Sequence, residues 1–332
     1  MRSGQLARLM TGLAAIPLAL LPVENVWAAG AAPPSAPGST AGRPTPKGRA
    51  TAGNDLFVTA DQFCVNPSVE LLNPKTYKQV GTITNGIICP YSVTLDAKGN
   101  LYVADLGYTP TGVDIDSGDI VIYAPGATTP TSTLLHGAGL VTATGIVSLT
   151  TDKHGNVYGG TSINYGQQNG GHSIPSVVMW PAGNPEPHVV CSGASQRANI
   201  DSVAVDSKGD VVYTSDSSVA ECAAPKGTEH VLEGVGGSAV AIDAHDNLLY
   251  SLPGSGTISV SAPPYSSVTR TIGTGLMTPT DIKLNATNTQ VYVADHGLGQ
   301  FITIDYQTGA VVSSVAIPGI QSAVKRPNAI NK

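Results

Sequence analysis

The sequence predicts an all-β fold, a six-bladed β-propeller of four-stranded antiparallel blades. Three observations predict it. One short phrase recurs five times, as LDAKGNLYVAD at 95–105 and then as LTTDKHGNVYGG, VDSKGDVVYTSD, IDAHDNLLYSL and LNATNTQVYVAD. Apolar residues alternate with period two on both sides of each phrase's turn, which is the pattern of a half-buried strand. The aromatic residues of the second run, Phe57, Tyr102, Tyr158, Tyr213, Tyr250 and Tyr292, lie 37 to 56 residues apart, the period of a propeller blade.

Each strand of the unit has its own warrant. The first run (SVTLD, IVSLT, SVAVD, AVAID, DIKLN) is strand A. A turn follows (AKGN, DKHGN, SKGD, AHDN, ATNT), in which Gly or Asn supplies the positive φ of a tight hairpin. Strand B carries the aromatic. Strand C is β-branched (DIVIYAP, PSVVMWP, SVAECAAP, TISVSAP, FITIDY), and a short strand D closes the unit (TSTLLHG, HVVCSG, EHVLEG, TRTIGTG, AVVSSVA). A single four-stranded meander cannot bury its two faces. Stacking several around an axis buries both and leaves only short edges.

The two ends of the repeat decide how the ring closes. NDLFVTAD, around Phe57, reads as a strand B with no strand A before it. After the last strand D comes IPGIQSAVKRP, whose QSAV matches the openings of strand A in GGSAVAID and NIDSVAVD. The segment near 320–325 is therefore expected to supply the innermost strand of blade 1, with strands B to D coming from 54–84.

Before the repeat lie two segments of other character. MRSGQLAR carries Arg2 and Arg8, the apolar run LMTGLAAIPLALLPV is short and broken by Pro, and small residues around Ala28 offer a cleavage site. Residues 1–28 are thus expected to be a Sec-type signal peptide, and the mature protein to be secreted or periplasmic with no transmembrane anchor. Residues 29–52, rich in Ala, Pro, Gly, Ser and Thr, cannot bury enough apolar surface to fold and read as a flexible linker. The propeller is expected over 53–327, with 328–332 a tail. Charged residues are only 12 % of the chain, with a net charge of −6. That balance excludes the basic stripe of a nucleic-acid binder. None of the four cysteines forms a C-x-x-C pair, so a zinc site is a poor reading, and four cysteines allow three disulfide pairings.

The pattern S-V-x-x-D-x-x-G-N-x-Y-V-A-D, followed by I-x-V-Y-x-x-G, resembles the NHL-repeat and gluconolactonase-like six-bladed propellers. The resemblance covers about 54–325; the copies at 91–126 and 280–306 are clearest and the one at 217–236 is short. It implies that the A–B and C–D turns lie on one face, here called lower. The B–C loops and D-to-A crossings then lie on the upper face, where members of the family bind ligands. That placement puts Cys64 and Cys89 together at the upper face, 25 positions apart, and predicts a bond between them. Cys191 in strand D of blade 3 and Cys222 in strand C of blade 4 can form an inter-blade bond.

The same placement sorts the candidate site residues. Asp61, Asp105, Asp216 and Asp295 end strand B at the top, where Asp commonly accepts hydrogen bonds from nearby backbone amides. Asp201 and Asp281 lie where strand A begins, nearest the central mouth, and His172 and His296 also reach the upper face. Two B–C loops are long, at 106–119 and 161–175, and long loops often carry function. Tyr108 in the first and Tyr165 in the second, among Asn and Gln, would make a stacking and amide surface for a sugar or peptide. Asp114, Asp116 and Asp119 have part of a calcium-loop spacing but lack its Glu and central Gly. Metal-dependent lactonases of the family use a Glu, Asn and Asp set at the top centre, and Glu70 falls in a strand C instead; the related lyases use several histidines. The expected function is therefore an exported, monomeric binding module for a protein or glycan partner, with no cofactor. The alternative is a metal-assisted lactonase- or lyase-like enzyme using Asp201, Asp281, Asp295 and His296. Asn285-Ala286-Thr287 is a formal glycosylation sequon.

Overall fold

A computed structural model describes residues 55–60, 64, 66–106, 119–134, 145–161, 175–192, 199–215, 218–223, 227, 229–252 and 254–325. The described residues form six four-stranded antiparallel sheets and no helix. Blade 2 runs Pro90–Leu95, Leu101–Asp105, Asp119–Tyr123 and Ser132–Leu134. Blade 3 runs Ile146–Thr151, Val157–Thr161, Ser176–Trp180 and His188–Ser192. Blade 4 runs Ile200–Val205, Val211–Ser215, Ser218–Cys222 and Glu229–Gly236. Blade 5 runs Ala239–Ile242, Leu248–Ser251, Ile258–Ser261 and Val268–Ile272, and blade 6 Pro279–Leu284, Gln290–Asp295, Gln300–Asp305 and Val311–Ala316.

Blade 1 joins the two ends of the repeat. Its strands B to D are Leu56–Thr59, Val69–Leu72 and Gln79–Ile83, and its innermost strand is Ser322–Lys325. The pairing sets Leu56 opposite Lys325 and Thr59 opposite Ser322. Thr59 Oγ1 also accepts from the Ser322 amide at 3.1 Å, and the Gln321 amide donates to the Thr59 carbonyl at 2.8 Å. The tail therefore closes the ring as the sequence predicts.

The core is divided as a propeller requires, with one buried apolar cluster between each pair of neighbouring blades. Phe57, Val69, Val93 and Tyr123 fill the contact of blades 1 and 2, and Leu56, Tyr292, Phe301 and Ala323 that of blades 6 and 1. Trp180, only 1 % exposed, anchors the contact of blades 2 and 3. Blade 3 makes room for it by departing from the L-Y-V-A-D phrase. A Cβ on Gly159 would stand 3.2 Å from the Trp180 ring, and one on Gly160 would stand 2.6 Å from the Ile200 carbonyl oxygen of blade 4.

One sequence marker needs correction. Register aligns Tyr102, Tyr158, Tyr292 and Phe57 at a single position of strand B, two residues before Ala104, Gly160, Ala294 and Thr59. Tyr213 and Tyr250 stand only one residue before their equivalents, Thr214 and Ser251. A shift of one residue sends a strand side chain to the opposite face. Accordingly Tyr158 faces blade 4 while Tyr213 faces back to blade 3, so both sit in one cluster. Tyr250 likewise packs against blade 4. The aromatic spacing counts the blades correctly, but it does not mark one structural position.

Both disulfides form: Cys64–Cys89 with Cα atoms 4.8 Å apart, and Cys191–Cys222 with Cα atoms 6.1 Å apart. The second joins blade 3 to blade 4. No helix of the described residues is long and apolar enough to cross a membrane.

Candidate functional site

The recurring phrase is chemistry for a turn. In each A–B hairpin the first residue of the turn, Asp96, Asp152, Asp206 or Asp243, turns its carboxylate back over the loop. Asp96 Oδ1 accepts from the Lys98 and Asn100 amides at 2.9 and 2.8 Å, and its Oδ2 from Asn100 Nδ2 at 2.7 Å. Asp152 and Asp243 repeat the set with Asn156 and Asn247. Asn285 accepts from the Thr289 and Gln290 amides in the same manner. The fourth residue of every turn, Gly99, Gly155, Gly209, Asp246 or Asn288, has φ between 52° and 92°. That is the left-handed conformation Gly and Asn tolerate best.

The tyrosine of the phrase completes the turn where its register allows. Tyr102 donates to Asp96 Oδ2 and Tyr158 to Asp152 Oδ2, at 3.4 and 3.3 Å. Burial first, and then the neighbouring carboxylate, pushes each hydroxyl up to about 12. In blade 5 Tyr250 points the other way, and Tyr306 of blade 6 takes its place, donating to Asp243 Oδ2 at 2.8 Å. Burial alone would raise the Asp243 carboxyl. Hydrogen bonds from Asn247, Tyr306 and His245 outweigh it and hold the group below its ordinary value.

Inside the ring, one position of strand A stitches four of the six blades to the next. In chain order it is Ser92, Ser148, Ser202, Ala239, Asp281 and Ser322, aligned by their strand B partners. Ser92 Oγ accepts from the Leu149 amide, Ser202 Oγ from Val240 and Ser322 Oγ from Val93, at 3.0 to 3.2 Å. Asp281 departs from this serine pattern. Its Oδ2 accepts from Ser322 Oγ at 2.5 Å and its Oδ1 pairs with Lys283 Nζ at 2.9 Å.

One residue higher lies the mouth on the upper face. Strand A is bulged here in blades 2, 3, 4 and 6, and the register steps over Tyr91, Val147, Asp201 and Thr280. Bulges of this kind re-aim side chains at barrel rims and sites. Ser238 and Gln321 hold the same level in blades 5 and 1. Thr280 and Ser238 hydroxyls bond the next blade, to the Gln321 and Pro279 carbonyls at 2.8 and 2.7 Å. Tyr91 and Asp201 come from blades that are not neighbours. Yet the Tyr91 hydroxyl is raised by burial and then by the Asp201 charge. Both therefore face the common channel.

The predicted site residues take separate places. Asp201 is exposed at the mouth, whereas Asp281 is one step deeper and buried, so the two are not equivalent. Asp295 is fully buried and accepts from the Met277, Thr278 and Leu298 amides at 2.7, 2.9 and 3.1 Å. Asp105 likewise caps Ile88 and Cys89. His296 Nδ1 donates to the Ile320 carbonyl at 3.1 Å, against the closing segment. Among the described residues no group of three or more His, Cys, Asp or Glu is placed to hold a metal ion. Tyr108, Tyr165, Asp61, Asp114, Asp116, His172 and Asp216 lie outside the described residues, as does the 1–28 segment. Sequence reasoning missed Tyr91. Its signal was its place immediately before Ser-Val in CPYSVTLD, the place Asp201 holds in NIDSVAVD.

The channel's large cavity is at the other end. A funnel of about 750 Å³ opens between the A–B turns on the lower face and is walled by strand A of all six blades. Sequence reasoning assigned nothing there.

No family model and no curated protein matches the sequence. Solved structures do match. A chain of the nidogen/laminin complex superposes with a TM-score of 0.61 at 10 % identity, covering 82 % of this chain and 98 % of that one. A protein of unknown function from Bacteroides caccae superposes at 0.59 and 14 % identity, covering 82 % and 98 %. At such identities the likeness is one of fold.

Proposed function

We propose that the chain is an exported, NHL-like propeller acting as a binding module, with a protein or glycan partner on its upper face. The observation that carries this reading is the mouth. Four strand A bulges at one level present Tyr91, Val147, Asp201 and Thr280 at the axis, and Tyr91 and Asp201 share one electrostatic environment. An aromatic ring beside an acceptor suits a sugar face or a peptide side chain. The sequence adds Tyr108 and Tyr165 as candidate contacts, and Asp281, Asp295 and His296 support the mouth from beneath. One solved neighbour comes from a protein complex, nidogen with laminin. Two disulfides, a signal-like start and a Pro-rich linker suit an oxidising compartment outside the cytoplasm.

The test is a glycan array together with a panel of extracellular proteins, probed with the mature chain and with Tyr91→Ala and Asp201→Ala. A partner retained by the wild type is expected to bind each variant at least about tenfold more weakly, as for residues at the centre of an interface. The thermal midpoint of Asp201→Ala, at an exposed position, should move little. Undiminished binding by both variants contradicts the reading.

A further inference from the structure

The lower funnel is floored by a charge that the repeat does not predict. Two residues below the serine position, strand A carries Thr94, Thr150, Ala204, Ala241, Lys283 and Val324 in the six blades. Only blade 6 places a cation there, and the same strand replaces the serine with Asp281. Two departures from a repeat in one strand are where function is expected. Lys283 Nζ pairs with Asp281 at 2.9 Å and also donates to the Leu149 carbonyl at 3.3 Å. Leu149 belongs to blade 3, directly across a six-membered ring from blade 6. The lysine therefore spans the axis as a strut between the upper mouth and the funnel. Its side chain is 15 % exposed, and it also lines the funnel.

The hydrogen-bonding state of the wall identifies the ligand chemistry. Four carboxylates line the funnel: Asp152, Asp206, Asp243 and Asp246. Each already accepts hydrogen bonds from its own or the adjoining turn, Asp246 from Ser207 at 2.8 and 2.6 Å. An ammonium carries three donors, and two of Lys283's have protein acceptors. What the blind end offers is a donor. About 750 Å³ is ample for a small molecule.

We propose that the funnel binds a small carboxylate, entering from the lower face and setting its carboxyl group on Lys283. Lys153 and Lys208 offset two of the four wall carboxylates, Lys283 being paired with Asp281, so no net positive field draws an anion in. Recognition is thus by contact at the floor rather than by a long-range field, and affinity should depend weakly on salt. This site is independent of the upper-face reading, and either stands without the other.

Calorimetric titration of the mature protein decides it. The probes are succinate, a tripeptide with a free C-terminal carboxylate, the same tripeptide amidated, and putrescine. Succinate or the free-carboxylate peptide should saturate with Kd of about 1 mM or tighter; which one binds separates a metabolite from a chain terminus as the source. Lys283→Met should weaken binding at least about tenfold, and Lys283→Arg should retain part of it. Thr150→Ile narrows the funnel from the opposite blade and should weaken binding while leaving the Lys283 charge in place, so the test survives if Lys283→Met does not fold. Lys75→Ala, at an exposed lysine outside the funnel lining, should leave carboxylate binding unchanged. The proposal is overturned if neither carboxylate binds up to about 10 mM. It is equally overturned if the amidated peptide or putrescine binds as well as the carboxylates, or if Thr150→Ile and Lys283→Met both leave binding intact.

Discussion

The two ends of the central channel are made by different rules. At the lower end five A–B turns repeat one device: an Asp or Asn folded over its own amides, a positive φ four residues into the phrase, and in three of them a tyrosine hydroxyl on the carboxylate. At the upper end no two blades present the same residue: Tyr91, Val147, Asp201, Ser238, Thr280 and Gln321. The difference teaches that the repeated letters of this sequence are scaffold. The residues that break the repeat, at the mouth and at Lys283, are the ones on which both proposals rest.

The comparison can be broken most severely at the scaffold. Ending the chain before Ser322 removes the innermost strand of blade 1 and uncovers Leu56, Phe57 and Val58. At about 1.5 to 3 kcal/mol for each buried side chain, the loss should exceed about 5 kcal/mol. Denaturant unfolding should then show a chain without a cooperative transition. Reducing both disulfides comes next. Each closes a span of 25 or 31 residues, and chain entropy assigns each about 3.5 kcal/mol, readable as a lower midpoint of denaturation in reductant. Gly160→Val forces a Cβ against the Ile200 carbonyl and should cost about 3 kcal/mol; thermal unfolding checks it. Asp295→Ala strips the acceptor from three amides and should cost about 2 kcal/mol. By contrast, Asp201→Ala at the same face should leave the thermal midpoint unmoved.

The smallest effect sharpens the comparison through pH. The folded Asp243 carboxyl titrates below its ordinary value. Its contribution is therefore complete above the unfolded-chain value of about 3.9 and fades as pH falls through the lower folded value. Asp243→Asn should lower stability at neutral pH and flatten the acid limb of the midpoint-against-pH curve. An acid limb as steep as that of the wild type would remove Asp243 from the account.

Much of this architecture was legible because hairpin chemistry is local. An Asp, a Gly and an Asn within five residues state their own hydrogen bonds, and QSAV near the C-terminus states its register by matching its sisters. What was not legible is set by neighbours. Tyr213 and Tyr250 stand seven residues after Asp206 and Asp243, where Tyr102 and Tyr158 stand six after Asp96 and Asp152, but the blade that each ring meets is not in that spacing; Tyr158 and Tyr213 share one interface. Gly159 and Gly160 read as a weak strand until Trp180 and Ile200 are seen against them. Asp201 and Asp281 looked alike in sequence, and only the bulge at Ile200–Ser202 and the lysine two residues past Asp281 separate them.

Backbone hydrogen exchange, with and without a partner selected from the arrays, tests the central claim most directly. The division into a repeated scaffold and a variable upper face predicts added protection at 88–92, 199–202 and 296–299 and none at the A–B turns. Protection confined to 96–100, 152–156, 206–210 and 243–247 would contradict it.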